Sequence, residues 1–214
     1  MNEFLLIVLA YLIGSIPTAV WVSKYFFGID IRDYGSGNAG ATNCYRILGS
    51  RWGTFVMIMD MLKGMLAAGL YLLIPYYLSD EWDRTNFMVG LGLAAVLGHI
   101  FPIWADFKGG KGIATLFGMI LGIQPLVAVS LVGVFLGMLF LTRYVSLSSI
   151  SASIAFPLLI LFIFQAPELS YQVFAIATAC LVVLTHYKNI SRLLHGNESK
   201  VPFFRKRRPR SEED

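Results

Sequence analysis

The chain has 214 residues, of which 57% are hydrophobic and only 14% are charged, and its formal net charge is +4. Its mean hydropathy is +0.67, which excludes an ordinary soluble domain and predicts an integral membrane protein. Two cysteines cannot build a disulfide framework, and neither has the spacing of a metal-ligand pair.

Seven apolar segments have lengths compatible with membrane helices. In chain order they are predicted at residues 4–24, 52–75, 87–104, 113–123, 125–142, 149–165 and 171–186. The first follows Asn2 and Glu3 rather than a basic region and lacks a cleavage site, so we expect a retained span and not a signal peptide. The fourth is short and ends at Gln124-Pro125, so it either crosses the bilayer or turns back. The predicted fold class is an all-α integral membrane protein with about seven transmembrane helices.

Basic residues concentrate on one set of loops. They follow the first, third and fifth segments and fill the C-terminal region, whereas the opposite loops hold one basic residue, Arg84. Because Lys and Arg favour the cytoplasmic side, we expect an outside N-terminus, a cytoplasmic C-terminus and an odd number of spans. Residues 1–198 are predicted to form a single transmembrane domain, followed by a disordered basic-acidic tail at 199–214.

The first cytoplasmic loop contains GSGNAGATNCYR, residues 35–46, which fits the dinucleotide-binding pattern G-x-G-x-x-G. That pattern requires a buried strand before it and a helix after it within a βαβ unit. Here a membrane helix precedes it, so a nucleotide site is not expected. The remaining interpretation is a loop of small residues whose backbone N–H groups point into one cavity and bind an anion.

The second loop contains FKGGKGIAT, residues 107–115. A P-loop needs Ser or Thr after its lysine, but Lys111 is followed by Gly112, so nucleotide hydrolysis is not expected. Glycines, lysines and the start of the next helix favour phosphate binding. The alternative is a flexible basic loop that obeys the positive-inside rule.

The third segment, HYKNISRLLHGNE at residues 186–198, follows the last span. His186 and Asn189 are three residues apart and share a helical face, with Arg192 adjacent. His186 is either an interfacial or capping residue, or a member of the site. Four residues after the fifth segment either cap a helix or join the site, and capping is favoured; they are Arg143, Ser146, Ser148 and Ser149.

All three segments are predicted on the same side of the bilayer, so they can converge on one site. Their glycine amides, hydroxyls, amides and cations suit phosphate. A metal site is not expected, because hard cations need clustered oxygens and zinc needs His or Cys sets.

Two charged residues lie inside the second span. Asp60 and Lys63 are roughly 12 to 16 Å along the helix from Trp52 at 1.5 Å per residue, which places them near the middle of the bilayer. Exposure of either to lipid costs about 2.5 to 3.5 kcal/mol, so both should face the bundle interior. They form either a structural pair across one turn or a polar floor beneath the site.

Five motifs, in this order, resemble one family. They are GSGNAGATNCYR, D-x-x-K-G at 60–64, G-H-x-F-P at 98–102, FKGGKGIAT and H-x-x-N-I-x-R-L-x-x-G-x-E at 186–198. The chain is identified by them as similar to the bacterial membrane acyl phosphate:glycerol-3-phosphate acyltransferases, the PlsY family. The resemblance implies transfer of an acyl group from acyl phosphate to the 1-hydroxyl of sn-glycerol 3-phosphate. The product would be lysophosphatidic acid, made for phospholipid synthesis at the bacterial cytoplasmic membrane.

The loop inventory and the resemblance together predict the roles of individual residues. The predicted catalytic residues are Ser36, His186 and Asn189. The predicted substrate-binding residues are Gly37, Asn38, Asn43, Arg46, Lys108, Gly109, Gly110, Lys111 and Gly112. The predicted structural residues are Asp60, Lys63 and Glu198. We expect glycerol 3-phosphate, acyl phosphate and the lipid bilayer as partners, no cofactor, no metal, no nucleic acid, and a monomer.

Several alternatives stay open at this point. No G-x-S-x-G elbow surrounds Ser36, so direct attack on the donor is favoured over a covalent acyl-serine. Either His186 or the donor's own phosphate accepts the alcohol proton, and the phosphate is slightly favoured. One rival function is a transporter or channel for a phosphorylated solute, which is opposed by the absence of a visible inverted repeat and by the predicted place of all the polar motifs at one boundary. The other is a lipid-binding scaffold held by its basic tail.

Overall fold

The computed structural model describes residues 2–200, and within them the chain is helical and has no strand. The α-helices are α1 (Glu3–Gly14), α2 (Thr18–Phe27), α3 (Ala41–Ile47), α4 (Ser50–Ala68), α5 (Tyr76–Ser79), α6 (Glu81–Ile100), α7 (Ile113–Ile123), α8 (Pro125–Thr142), α9 (Val145–Leu158), α10 (Leu169–Thr185) and α11 (Tyr187–Leu194). Short 3₁₀ segments cover Ile31–Asp33, Gly69–Leu73 and Ile103–Ala105, and a π-helical turn covers Leu159–Ile163. This architecture confirms the predicted all-α class.

Length and hydropathy identify five helical stretches in residues 2–200 that can cross a membrane. These are Glu3–Phe27, Ser50–Leu73, Glu81–Ala105, Pro125–Thr142 and Val145–Ile163. Leu169–Thr185 and Tyr187–Leu194, bent by 60° at their junction, add a sixth if the pair is one span. Helix α7 has only 11 residues. All seven predicted segments are therefore helical, but the crossing of α7 and the orientation of the chain stay predictions. From residue 201 on, the predicted tail lies outside the described residues.

The first predicted span is broken rather than continuous. Helix α1 ends at Gly14 and α2 begins at Thr18. Pro17 at the junction has no N–H to continue the helical ladder. The Ile16 carbonyl at this break accepts a hydrogen bond of 3.0 Å from Lys63 Nζ of α4, so the break is joined to the second span.

Helices α4 and α7 approach closely at glycines. A Cβ at Gly64 would lie 2.0 Å from the Thr115 carbonyl oxygen, and one at Gly118 would lie 1.8 Å from the Met61 carbonyl oxygen. Small residues at such crossings bring backbones together, which drives helix association in a membrane. This contact holds the start of α7 against the middle of α4.

We expect Gly118→Ala to destabilise the protein by about 1 to 3 kcal/mol, because its methyl group would overlap the α4 backbone. The matched control is Gly133→Ala in α8, where nothing lies within 4 Å of the added Cβ. Thermal unfolding in detergent measures both. Equal unfolding temperatures for the two variants would contradict this account of the α4–α7 contact.

Candidate active site

The first glycine loop is ordered by Asn43, which is fully buried. Its side-chain Oδ1 accepts the Ser36 backbone N–H at 3.0 Å, and its Nδ2 donates to the carbonyls of Ile31 at 3.0 Å and Tyr34 at 2.9 Å. Gly37 has φ +71°, a conformation that favours glycine. The Asn43 side chain therefore hydrogen-bonds to the loop backbone and holds the exposed Ser36 in place.

The same loop carries two further predicted ligands. Asn38 is half-buried beside Gly40, the residue before α3. Arg46 is in the last turn of α3 and is exposed. Among the described residues, the side chains of Arg46 and Lys108 make no hydrogen bond or ion pair. Both cations are therefore available to an anion in solvent.

An arginine clamp, missed by the sequence analysis, joins the first loop to the second. Arg32 donates to both carboxylate oxygens of Asp30, at 2.9 and 2.7 Å, and to the Ala105 carbonyl at 2.9 Å. The hydrogen bond from the Arg32 guanidinium holds the pKa of Asp30 well below its ordinary value. Such bidentate pairs fix geometry as well as charge. No motif in the sequence singles out Asp30 or Arg32.

The second loop is packed by its glycines. The Gly109 N–H donates to the Ile100 carbonyl at 3.1 Å, and the Gly110 N–H donates to the His99 carbonyl at 3.2 Å. These two amides therefore donate to carbonyls at the end of α6 and are not available to a ligand. This differs from the expected cradle of glycine amides. Gly112, with φ +79°, precedes the first turn of α7.

Lys111 lies at the centre of the contacts between the loops. It is half-buried, and its ammonium group hydrogen-bonds the Asn189 side-chain oxygen. Burial, together with the charge of the nearby Arg192, lowers the pKa of Lys111 from its ordinary value to about 8. A desolvated ammonium of this kind is a strong anion ligand while it is protonated.

Glu198 gathers the third segment around one carboxylate. It accepts hydrogen bonds from Asn189 Nδ2 at 2.7 Å, Arg192 Nε at 2.7 Å and Ser146 Oγ at 2.9 Å. Burial raises the pKa of Glu198, but these three donors outweigh burial and the net pKa is lowered. The favoured interpretation of Ser146 as a helix cap is wrong, because its hydroxyl joins this cluster.

His186 is buried at the bend between α10 and α11. Its Nδ1 is 2.8 Å from the Val182 carbonyl oxygen. Because a carbonyl only accepts hydrogen bonds, Nδ1 of the neutral ring carries the proton and Nε2 carries the lone pair. This tautomer leaves Nε2 able to accept a hydrogen bond from a substrate hydroxyl.

A buried polar group lies at the interior end of the site. Lys63 Nζ is 2.9 Å from Asp60 Oδ1, so pairing across one turn is present. His99, which the sequence analysis did not select as a site residue, places Nδ1 3.6 Å from the same oxygen. The G-H-x-F-P motif was the available signal for His99. The Asp60–Lys63 pair thus extends to the residue whose carbonyl holds Gly110.

The three segments meet through the glycine-lysine loop. A Cβ at Gly110 would lie 3.0 Å from the Ala39 carbonyl oxygen of the first loop, and Lys111 contacts Asn189 of the third segment. No cluster of His, Cys, Asp and Glu in residues 2–200 has the arrangement of a metal site. The helices and candidate spans of residues 2–200 define an integral membrane protein of the all-α class, in which three polar segments contact each other.

Comparison with known proteins identifies the family to which this membrane protein belongs. The glycerol-3-phosphate acyltransferase family model matches residues 4–196. Glycerol-3-phosphate acyltransferases of Fusobacterium nucleatum and Chlorobaculum tepidum are 44% and 39% identical, covering 95% and 94% of this chain and 100% and 97% of their own lengths. The chain belongs to the glycerol-3-phosphate acyltransferase family, and it is an enzyme of the acyltransferase class.

Two solved structures share the fold. The glycerol 3-phosphate form of PlsY (YgiH), an integral membrane glycerol 3-phosphate acyltransferase, has a TM-score of 0.83 and 38% identity, covering 94% of this chain and 96% of its own. The lysophosphatidic acid form has a TM-score of 0.80 and 37% identity, covering 94% and 95%. These matches confirm the resemblance found in the motifs and favour an enzyme over a transporter or scaffold.

Proposed function

We propose that this enzyme transfers a fatty acyl group from acyl phosphate to the sn-1 hydroxyl of glycerol 3-phosphate. The products are lysophosphatidic acid and inorganic phosphate, and the reaction serves phospholipid synthesis. The observation that carries the proposal is the meeting of three polar segments at the glycine-lysine loop, where Gly110 packs on Ala39 and Lys111 bonds to Asn189. Relatives with glycerol 3-phosphate and lysophosphatidic acid bound support it.

Two phosphate-bearing reactants repel each other. Each pair of like charges about 4 Å apart costs roughly 4 kcal/mol at an effective dielectric near 20. Lys111 and Arg46 offset this repulsion and orient the phosphates, with Lys108 as a further exposed cation. Because acyl phosphate is already activated, alignment of the acceptor hydroxyl supplies much of the acceleration.

The acyl transfer is a direct displacement. The glycerol hydroxyl oxygen forms a bond to the acyl carbon, and the bond from that carbon to the phosphate oxygen breaks with its electron pair leaving on phosphate. The hydroxyl proton passes to the departing phosphate. Ser36, which Asn43 presents at the surface of the first loop, donates a hydrogen bond to the developing oxyanion.

Asn189 and His186 act mainly by positioning. Asn189 accepts from Lys111 and donates to Glu198, so it fixes the direction of the lysine and retains one N–H for a substrate oxygen. His186 accepts the glycerol hydroxyl through Nε2 and orients it, while the donor phosphate takes the proton. The absence of H-x-x-x-x-D after any of the three histidines fits a donor other than acyl-CoA.

The Michaelis constant for glycerol 3-phosphate should depend on the protonation of Lys111. With a pKa of about 8, the ammonium is charged below pH 8 and neutral above it, so we expect KM to rise as the pH increases through 8. Lys111→Arg is the control, because arginine stays charged over this range and should give a flatter profile. Steady-state kinetics between about pH 6.5 and 9.5 measures both, and identical profiles would contradict the assignment.

Purified protein in detergent tests the whole reaction. Palmitoyl phosphate and glycerol 3-phosphate should yield lysophosphatidic acid and phosphate in equal amounts, and palmitoyl-CoA should give no product. Mass spectrometry of the product checks that the acyl chain is attached to glycerol 3-phosphate and identifies the hydroxyl that carries the ester. Turnover with palmitoyl-CoA alone would overturn the proposed donor and leave the family assignment intact.

We place the enzyme as a monomer in the bacterial cytoplasmic membrane, with the N-terminus outside and the three segments on the cytoplasmic side. The distribution of lysine and arginine supports this orientation. Single-cysteine labelling from each side of sealed vesicles tests it. A reagent that reaches residue 36 or 111 only from the outside would overturn the orientation.

A further inference from the structure

Beneath the glycine-lysine loop lies a buried group of three ionisable side chains. Asp60, Lys63 and His99 are 2%, 5% and 6% exposed. Asp60 Oδ1 is 2.9 Å from Lys63 Nζ and 3.6 Å from His99 Nδ1. The longer distance exceeds a normal hydrogen bond, so His99 is a polar neighbour of Asp60 and not its hydrogen-bond partner. The ion pair of Lys63 with Asp60 and its hydrogen bond to the Ile16 carbonyl offset part of the cost of burying these charges.

The His99 ring separates Asp60 from the loop. One edge, Nδ1, faces Asp60, and the other edge, Nε2, lies where a Cβ on Gly110 would be 2.2 Å away. The loop backbone therefore rests directly on the ring, and only glycine fits there. Two backbone hydrogen bonds fix the same contact, from Gly110 to the His99 carbonyl and from Gly109 to the Ile100 carbonyl.

The residue after Gly110 is Lys111. A shift of the loop away from the ring would move the Lys111 backbone and break the contact of its ammonium with Asn189. A displacement of about 1 Å of a side chain that binds the substrate can lower the rate by up to 10²-fold. The His99 ring is thus the support on which the position of the lysine depends.

We infer that His99 is a positioning residue: its ring, which lies beside Asp60, supports Gly110 and so sets the position of Lys111. The inference rests on the proposed function, in which Lys111 binds the phosphate of glycerol 3-phosphate. His99 itself contacts no substrate in this assignment. Its effect is on substrate binding through the lysine.

Two substitutions separate the two edges of the ring. His99→Asn places an amide nitrogen near the position of Nδ1, which keeps a polar neighbour for Asp60 and removes the edge against Gly110. His99→Gln reaches the position of Nε2 and leaves Asp60 without its imidazole neighbour. We expect His99→Asn to unfold near the wild-type temperature and to raise KM for glycerol 3-phosphate by about 10- to 100-fold. We expect His99→Gln to unfold at a lower temperature and to keep KM within about twofold of wild type.

A second measurement needs no catalytic activity. An amine-reactive reagent followed by mass spectrometry reports how accessible Lys111 is in the purified protein. His99→Asn should label faster at Lys111, because its ammonium no longer contacts Asn189, and His99→Gln should label as wild type does. Ser153→Ala is the control, since Ser153 is buried in α9 and bonds only to the Ile150 carbonyl, and it should change neither KM nor labelling.

The outcomes distinguish this inference from the proposed function. Wild-type KM together with wild-type labelling in a folded His99→Asn variant would overturn the role of His99. If His99→Asn does not fold, Gly110→Ala takes its place, because its methyl group pushes the loop off the ring. Unchanged labelling of Lys111 in Gly110→Ala then overturns the inference. Failure of wild type to make lysophosphatidic acid rejects the proposed reaction, while the labelling result still decides the positioning role.

Discussion

Lys111→Ala should lower kcat/KM for glycerol 3-phosphate by about 10³, to the limit of detection. Lys111 is the half-buried cation at which the second loop meets the third segment, and alanine removes both the charge and the partner of Asn189. Lys111→Arg should retain part of the activity, because the charge stays while its shape and reach change. Assays of palmitoyl phosphate turnover, with glycerol 3-phosphate varied, measure these differences.

The matched control for Lys111→Ala is Arg51→Ala. Arg51 is an exposed cation at the start of α4 that lies over the Trp52 ring. Its loss removes the same formal charge from the protein without touching the three segments, so we expect activity within about twofold of wild type. Equal losses for the two variants would mean that overall charge, rather than the lysine at the centre of the site, controls the reaction.

Ser36→Ala should lower kcat by about 10² to 10³, with the unfolding temperature unchanged. The side chain of Ser36 is exposed, and only its backbone N–H is bonded to Asn43, so alanine leaves the loop intact. His186→Ala should keep measurable turnover, because the donor phosphate accepts the proton. Single-turnover assays with acyl phosphate compare the chemical steps, and a collapse of His186→Ala to the level of Ser36→Ala would restore histidine as the general base.

The helical architecture follows from the sequence because long apolar segments have few alternatives in a bilayer. The meeting of the three loops could also be expected, because the positive-inside pattern predicts all three on the same side of the bilayer. Proline chemistry indicates a break in the helix near Pro17. Because the residues on both sides are apolar, the sequence does not show where one helix ends and the next begins. The start of α9 at Val145 precedes the predicted boundary because its first turns are rich in serine, which lowers the local hydropathy.

The details of the site depend on contacts between distant segments, which spacing alone does not specify. A Gly-Gly pair is equally compatible with amides that face a ligand and with close packing, and the carbonyls of His99 and Ile100 decide between the two. Likewise, nothing near Ser146 in the sequence indicates that Glu198, 52 residues away, accepts its hydroxyl. The contact of Arg32 with the Ala105 carbonyl joins residues 73 apart, and it too depends on the fold rather than on the nearby sequence.

The hydrogen bond from Lys63 to the Ile16 carbonyl has a consequence for biogenesis. The N-terminal helices leave the ribosome before α4 is synthesised, and until it arrives the Ile16 carbonyl at their junction has its hydrogen bond from the Thr18 backbone N–H but not the one from Lys63. A carbonyl oxygen can accept two hydrogen bonds, so the newly inserted N-terminal pair still has one acceptor position that the Lys63 ammonium later fills. Insertion of α4, which carries Lys63, then forms this contact between the N-terminal helices and the second span. The order of synthesis is therefore part of how the membrane domain assembles.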